Sequence, residues 1–155
     1  MIAPATLLDL YYLAHNLRER DRQELAETRE DMSPASIAID AHASPWKWAA
    51  GSIGQPVMAL GAKPAHAGVA TVWGFGTNDY KSAIREMTDY AKAYMVPALI
   101  ASGLHRAQCI VHPENRASQR WLTSLGFNQE AVLRGFGSSH QDMLLYAWVL
   151  DDPDT

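Results

Sequence analysis

Residues 105 to 133, "HRAQCIVHPENRASQRWLTSLGFNQEAVL", constrain the fold more than any other part of the chain. A strand-like run around "CIV" ends at His112-Pro113, a short helical segment opens at Asn115, and Leu125-Gly126-Phe127 closes it before a second extended run, "EAVLRG". Asn is among the best N-caps, because its side-chain oxygen accepts from an orphan N–H of the first turn. Gly126 suits a left-handed stop, after which Phe127 can fold back onto Trp121 or Leu122. A strand, a helix and a strand in such close succession demand a crossover on one face of a sheet.

The remaining segments are consistent with that unit. Leu7, Leu10, Leu13, Ala14 and Leu17 recur at helical spacing. The polar stretch "RERDRQELAETRED" follows, where Asp21 and Glu24 fit a capping box that opens a second helix; one long helix with a solvated second half fits equally well. Ser33-Pro34 opens another helix and Pro45 ends it. "WKWAAG" and "PVMALGA" read as a hairpin around "SIGQ", and "GVATVWGFG" (68 to 76) as a further strand. From Tyr80 the helical period returns, with Ile84, Met87, Ala91, Tyr94 and Met95 on the same face. Pro97 should kink or end this helix, and Gly103 should stop it. "MLLYAWVL" is the last strand, reached through the polar loop "FGSSHQD". The expected class is α/β of the α+β type: one domain over 1 to 155, with a mixed central sheet flanked by helices.

Charge excludes several functions. With a net charge of −4, the surface has no bulk attraction for nucleic acid or anionic membrane. A single cysteine, Cys109, makes no internal disulfide and anchors no zinc cluster, and the six histidines show no helical metal-ligand spacing, so no metal is expected. The N-terminus has no basic region before its apolar run and carries Asp9 within it; with apolar runs far short of a membrane span, the expectation is a soluble, cytoplasmic protein. "GSIG" lies in a hairpin rather than at a strand-to-helix turn, so it is no nucleophile elbow. Ser139, His140 and Asp142 share one loop, whereas triad members meet in space.

Taken together, the strand "CIV", "HPEN", a Ser three residues on, "LGF" and "QEAVLR" resemble the second half of the Gcn5-related N-acetyltransferase (GNAT) superfamily. The resemblance implies that Asn115 and Ser118 face the pantetheine arm of acetyl-CoA. It also implies that Trp73, Gly74, Phe75, Gly76, Thr77, Asn78 and Lys81 form the cofactor-binding strand end and loop. Across nearly the whole chain, "AHNLRERDRQELAE", "GQPVMALGA", "VWGFGTND" and "RWLTSLGF" are similar to a phage-encoded branch with GNAT-like internal virion proteins.

The chain departs from the family pattern twice. The glycine-rich pyrophosphate run is replaced by "WGFGTNDYKSA", where Thr77, Asn78 and Asp79 supply side-chain caps and Asp79 would repel a phosphate. Leu122 stands seven residues after Asn115, where many active members carry a Tyr that protonates the leaving thiolate. Three readings follow, of which the plainest is a CoA-binding or ligand-sensing module without turnover. Another is an acetyl-CoA-dependent N-acetyltransferase using direct transfer. It would take His112 as base, Glu114 and His66 next, and a backbone N–H between Thr71 and Gly74 at the oxyanion. The third is a non-catalytic protein on the same fold, a virion component or a binder of a host protein, located in the host cytoplasm or the virion. The acceptor is not legible, and an exposed C-terminal strand could pair across a homodimer.

Overall fold

A computed structural model describes residues 1–151. Seven strands form one sheet in the order β1-β2-β3-β4-β5-β7-β6: β1 (Ile2–Pro4), β2 (Trp46–Ser52), β3 (Gln55–His66), β4 (Val69–Gly76), β5 (Arg106–Val111), β6 (Asn128–Leu133) and β7 (Met143–Val149). Every pairing is antiparallel except β4 with β5. The hairpin, the crossover and the final pair all form as the sequence pattern predicts, whereas the three-residue β1 carries too little pattern to be read.

Three helices precede the hairpin. In α1 (Leu7–His15), Thr6 and Asp9 exchange capping-box hydrogen bonds, and Leu10, Leu13 and Ala14 are buried against α3 (Pro34–His42) and the sheet. Ser33 caps α3 as expected, accepting the Ser36 N–H. The polar stretch is a separate helix, α2 (Glu19–Thr28), so one long helix is excluded. The capping box expected at Asp21 and Glu24 is also overturned: the N-cap lies three residues earlier, at Arg18, with no side-chain cap. Both carboxylates make long-range contacts instead.

After β4, a 3-10 turn (Tyr80–Ser82) leads into α4 (Ile84–Tyr90), a π-turn (Ala91–Met95) and α5 (Val96–Ala101). Pro97 does not end this helix. The widened π-turn precedes it, and the proline occupies the first turn of α5, where a missing N–H costs little. The extra residue of that turn also breaks the 3.6-residue spacing, so Met95 is buried while Tyr94 is 65 % exposed. Gly103, at φ +97°, does terminate α5, and the Leu104 N–H closes the turn on the Leu99 carbonyl. The crossover helix α6 (Arg116–Ser124) ends the same way: Gly126 has φ +93° and the Phe127 N–H donates to the Leu122 carbonyl.

The C-terminal strand is not an exposed edge. β7 pairs with β5 on one side and β6 on the other, so the free edges are β1 and β6, and the expected dimer pairing through the last strand has no edge to use.

Side chains on β3 and β4 divide among three clusters. Ala59, Phe75 and Trp73 pack toward α1 and α3, while Met58 and Leu60 belong with the buried face of α4 and the π-turn. Ala62, Ala70 and Ala107 join Leu99, Leu122 and Phe127 in a third cluster. At Gly61, a β-carbon would lie 2.4 Å from the Trp73 ring and 2.6 Å from the Trp46 carbonyl oxygen. The ring cannot easily yield, since it stacks on Phe75 at 5.3 Å and its Nε1–H donates to the Ser44 hydroxyl at 2.8 Å. Gly61→Ala should therefore cost about 1–3 kcal/mol in urea unfolding, the range for overpacking a rigid site.

Candidate functional site

β4 and β5 run side by side only from Val69 to Thr71 and from Arg106 to Gln108. Beyond that point they part, and β4 continues as a strand of the β3 ladder alone to Gly76. The gap forms a cavity of about 430 Å³ that threads the sheet. On the α4 side it is walled by Met58, Leu60, Ile84, Met95, Trp121 and Leu125; on the other side, Leu25, Trp73, Phe75 and Phe136 line it. The size suits a small-molecule site with a mostly apolar wall.

Separation of two strands leaves main-chain groups without ladder partners, and α2 supplies them. The Gly76 N–H donates to Asp21 Oδ2 at 2.9 Å, and the Gly76 carbonyl accepts the Arg18 N–H at 2.8 Å. At the end of β5, the His112 N–H donates to Glu24 Oε2 at 2.9 Å. Asn115, the N-cap of α6, joins the two: its Nδ2 donates to Glu24 at 3.0 Å and Asp21 at 3.4 Å. Its Oδ1 accepts from Arg18 at 3.0 Å and from the Ser118 N–H at 3.4 Å. Asp21 and Glu24 are three residues apart, so one face of α2 reaches both strand ends.

Burial raises the Glu24 carboxyl to about 7, with the nearby Asp21 charge adding to it, against the lowering effects of the His112 N–H, Asn115 and Arg18. This carboxyl lines the cavity and titrates in the neutral range. Cys109 also lines the cavity, but burial, reinforced by the Glu24 charge, pushes its thiol well above the ordinary range. It stays protonated and is a poor nucleophile.

The residues singled out from sequence fall into three groups. Trp73, Gly74, Phe75, Gly76 and Ser118 all line the cavity. Asn115 and His112 are buried directly behind it. All four hydrogen-bonding positions of the Asn115 amide are taken within the protein, and His112 Nδ1 accepts the Glu114 N–H at 3.0 Å. The third group lies on the surface or in the loop. Glu114 is exposed and paired with Arg20 at 2.7 Å, Asn78 and Lys81 are exposed, and Thr77 is buried with its hydroxyl accepting the Asp79 N–H at 3.1 Å. His66 is an exposed residue at the end of β3, and Leu122 is buried under α6.

Sequence reading missed Arg18, Asp21 and Glu24. The signal available was a pair of acids at helical spacing in a stretch otherwise read as solvated surface.

Known structures share this architecture. Ard1 from Thermoplasma volcanium superposes with a TM-score of 0.72 at 11 % identity, covering 98 % of this chain and 98 % of that one. Ribosomal-protein-alanine N-acetyltransferase from Brucella melitensis gives 0.71 at 17 % identity, covering 97 % and 99 %. The Salmonella typhimurium protein yncA, solved with its cofactor acetyl-CoA, gives 0.69 at 13 % identity, covering 98 % and 94 %. No protein-family model and no curated protein matches the sequence. The chain has the GNAT fold.

The network makes stability depend on pH. Glu24 binds its proton more tightly in the folded state than in the unfolded chain, so its contribution is complete below the ordinary value of 4.5 and is lost as pH rises toward about 7. Glu24→Gln keeps an acceptor for His112 and Asn115 without the charge. Urea titrations should show a wild-type decline of order 2 kcal/mol across that window, and the variant should flatten it. Asn115→Ala takes one partner from each of Arg18, Asp21 and Glu24 and the cap from the Ser118 N–H, and should cost roughly 2–4 kcal/mol at pH 7.

Proposed function

We propose that this protein is an acetyl-CoA-dependent N-acyltransferase that transfers an acetyl group to an amine on a protein or small molecule. The observation that carries this reading is the apolar cavity at the parting of β4 and β5, with one main-chain donor and one titrating carboxyl on its wall. A fold neighbour solved with acetyl-CoA supports the choice of donor.

Bound in the gap, the donor supplies an activated thioester, and the residues of this chain do the rest. Gly76 turns its N–H and carbonyl away from β3 toward α2, so strand alternation directs the Gly74 amide to the same side, into the widening gap. Gly74 is exposed on the cavity wall, and its N–H can meet the charge that develops on the acyl oxygen. As the acceptor nitrogen bonds to the acyl carbon and the carbon–sulfur bond breaks, the nitrogen must lose a proton. Glu24 takes it: Oε2 is fixed by His112 and Asn115, and Oε1 has no partner among the described residues. A group near 7 suits that task at neutral pH.

His112 and Glu114, the bases suggested by sequence, act here as supports: the His112 main-chain N–H holds Glu24, the His112 imidazole accepts the Glu114 N–H, and the Glu114 carboxylate pairs with Arg20. Asn115 is likewise a positioning residue, and Ser118 supplies a hydroxyl on the cavity wall. Leu122 offers no proton to the departing sulfur, so the thiolate leaves unassisted by that residue. A protonated, buried Cys109 favours direct transfer over an acyl-enzyme.

One observation favours a second reading, a non-catalytic protein on this fold serving a phage virion or binding a host protein: most amides of the 76–83 loop are already bonded within the protein. Calorimetric titration with acetyl-CoA separates the two. Micromolar binding supports transfer, and silence up to millimolar ligand supports the alternative. Gly74→Ile is the control, because a β-carbon there meets nothing closer than 3.5 Å, so the fold should stand while binding is lost. With an acceptor found by a thiol-release screen of amines and peptides, Glu24→Gln should lower kcat/KM by about 10²- to 10⁴-fold. It should also remove the wild-type fall in rate below pH 7.

A further inference from the structure

Proton removal by Glu24 fixes where an acceptor nitrogen must sit, and the walls around that carboxyl restrict what can be attached to it. Glu24 and Thr28 lie on one face of α2, one turn or about 5.4 Å apart along the axis. Away from α4, the cavity is walled by Leu25, Thr28, Trp73, Phe75 and Phe136. Phe136 is 52 % exposed, yet the loop that carries it is held by its own hydrogen bonds. The Gly135 N–H donates to Asp142 Oδ1 at 2.8 Å, and the Gly137 N–H to the Gln141 carbonyl at 2.9 Å. A large aromatic ring fixed at a cavity wall and half in water is a surface for an apolar group to cover.

The charge at this end is negative. An open depression adjoins the cavity, sharing Thr28 and Phe136 with it and bordered by Glu27, Arg29, Glu30 and Ser138. Arg29 is spent within the protein: its guanidinium pairs with Asp40 at 2.7 Å and donates to the Ser36 hydroxyl and the Asp31 carbonyl. The Glu27 carboxylate accepts from Ser139, a neutral donor, and no cation among the described residues pairs with Glu27 or Glu30. Two carboxylates without a counter-ion beside an apolar opening attract a cation and repel an anion. The opening is also bounded. Ser138 donates to the Ala26 and Glu27 carbonyls, and the loop lies so close to α2 that a β-carbon at Gly137 would collide with Glu27. An extended chain cannot pass between helix and loop at that point, so the way in lies at Thr28 and Phe136.

We propose that the acceptor is a small primary amine on an apolar body, an arylalkylamine with a short spacer, and that Phe136 determines this specificity. This rests on the acyl-transfer reading and names its acceptor. The ammonium form is drawn in by Glu27 and Glu30, and the ring of the acceptor packs against Phe136 and Leu25. The ammonium gives one proton to water before attack. As the nitrogen–carbon bond forms and the carbon–sulfur bond breaks, the second proton passes to Glu24 and the sulfur leaves with the bonding pair.

Calorimetry with acetyl-CoA comes first, followed by thiol release from acetyl-CoA with 2-phenylethylamine, ethanolamine, free phenylalanine and a short peptide that begins with alanine. The expected kcat/KM for phenylethylamine exceeds each of the others by about ten-fold or more, since ethanolamine lacks the apolar body and phenylalanine adds a carboxylate. Phe136→Ala should raise the KM for phenylethylamine about ten-fold with a much smaller effect on kcat, and Phe136→Leu should recover part of the loss. Equal use of ethanolamine or phenylalanine, a preference for the peptide, or a Phe136→Ala effect confined to kcat overturns this proposal and leaves acyl transfer standing. So does binding of acetyl-CoA with no thiol released by any of these acceptors. Silence in the calorimeter overturns both readings.

Discussion

The architecture turns on how the protein satisfies the backbone where β4 and β5 separate. A sheet that opens in its middle exposes amides and carbonyls in a largely apolar setting, and each unpaired group there is costly. Asp21 and Glu24 answer this from a single helix, one carboxylate at each strand end, and Asn115 ties both to the start of α6. Arg18 completes the arrangement, giving its main-chain N–H to Gly76 and its guanidinium to Asp21 and Asn115. No side-chain nitrogen or oxygen buried among the described residues lacks a partner.

The same interaction creates the chemical potential of the site. Two acids and one arginine brought together at the end of an apolar cleft cannot all keep solution behaviour. Asp21 has Arg18 at 2.9 Å, whereas Glu24 takes main-chain and amide donors and is raised by its burial. The structural staple thus leaves one carboxyl poised near neutrality on the cavity wall.

α2 is itself held from the far side. Glu27 accepts from the N–H and hydroxyl of Ser139, and Ser138 donates to the Ala26 and Glu27 carbonyls, so the 134–142 loop is strapped along the helix. Phe136 rides on that loop to the cavity wall, opposite Leu25 and Thr28. The helix that fixes the strand ends and the loop that brings Phe136 to the cavity wall are therefore joined, at the side of the sheet away from α4.

Local chemistry was enough to read most elements from sequence. Ser33-Pro34, the hairpin around "SIGQ", Asn115 at the start of α6 and the glycine stops at Gly103 and Gly126 each act within a few residues, through caps and left-handed turns. Where the outcome depended on neighbours, the pattern misled. Pro97 was absorbed by a π-turn, the last strand was inserted between β5 and β6, and the apparent capping box of α2 was two carboxylates aimed at strands 55 and 88 residues away. By itself the sequence determined the periodicities, the caps and stops, and hence the class of fold. Only the tertiary structure decided that β4 and β5 part, that Glu24 is the acid behind the gap, and that Asn115 is saturated from within, because burial and long-range hydrogen bonding exist only once the chain has closed on itself.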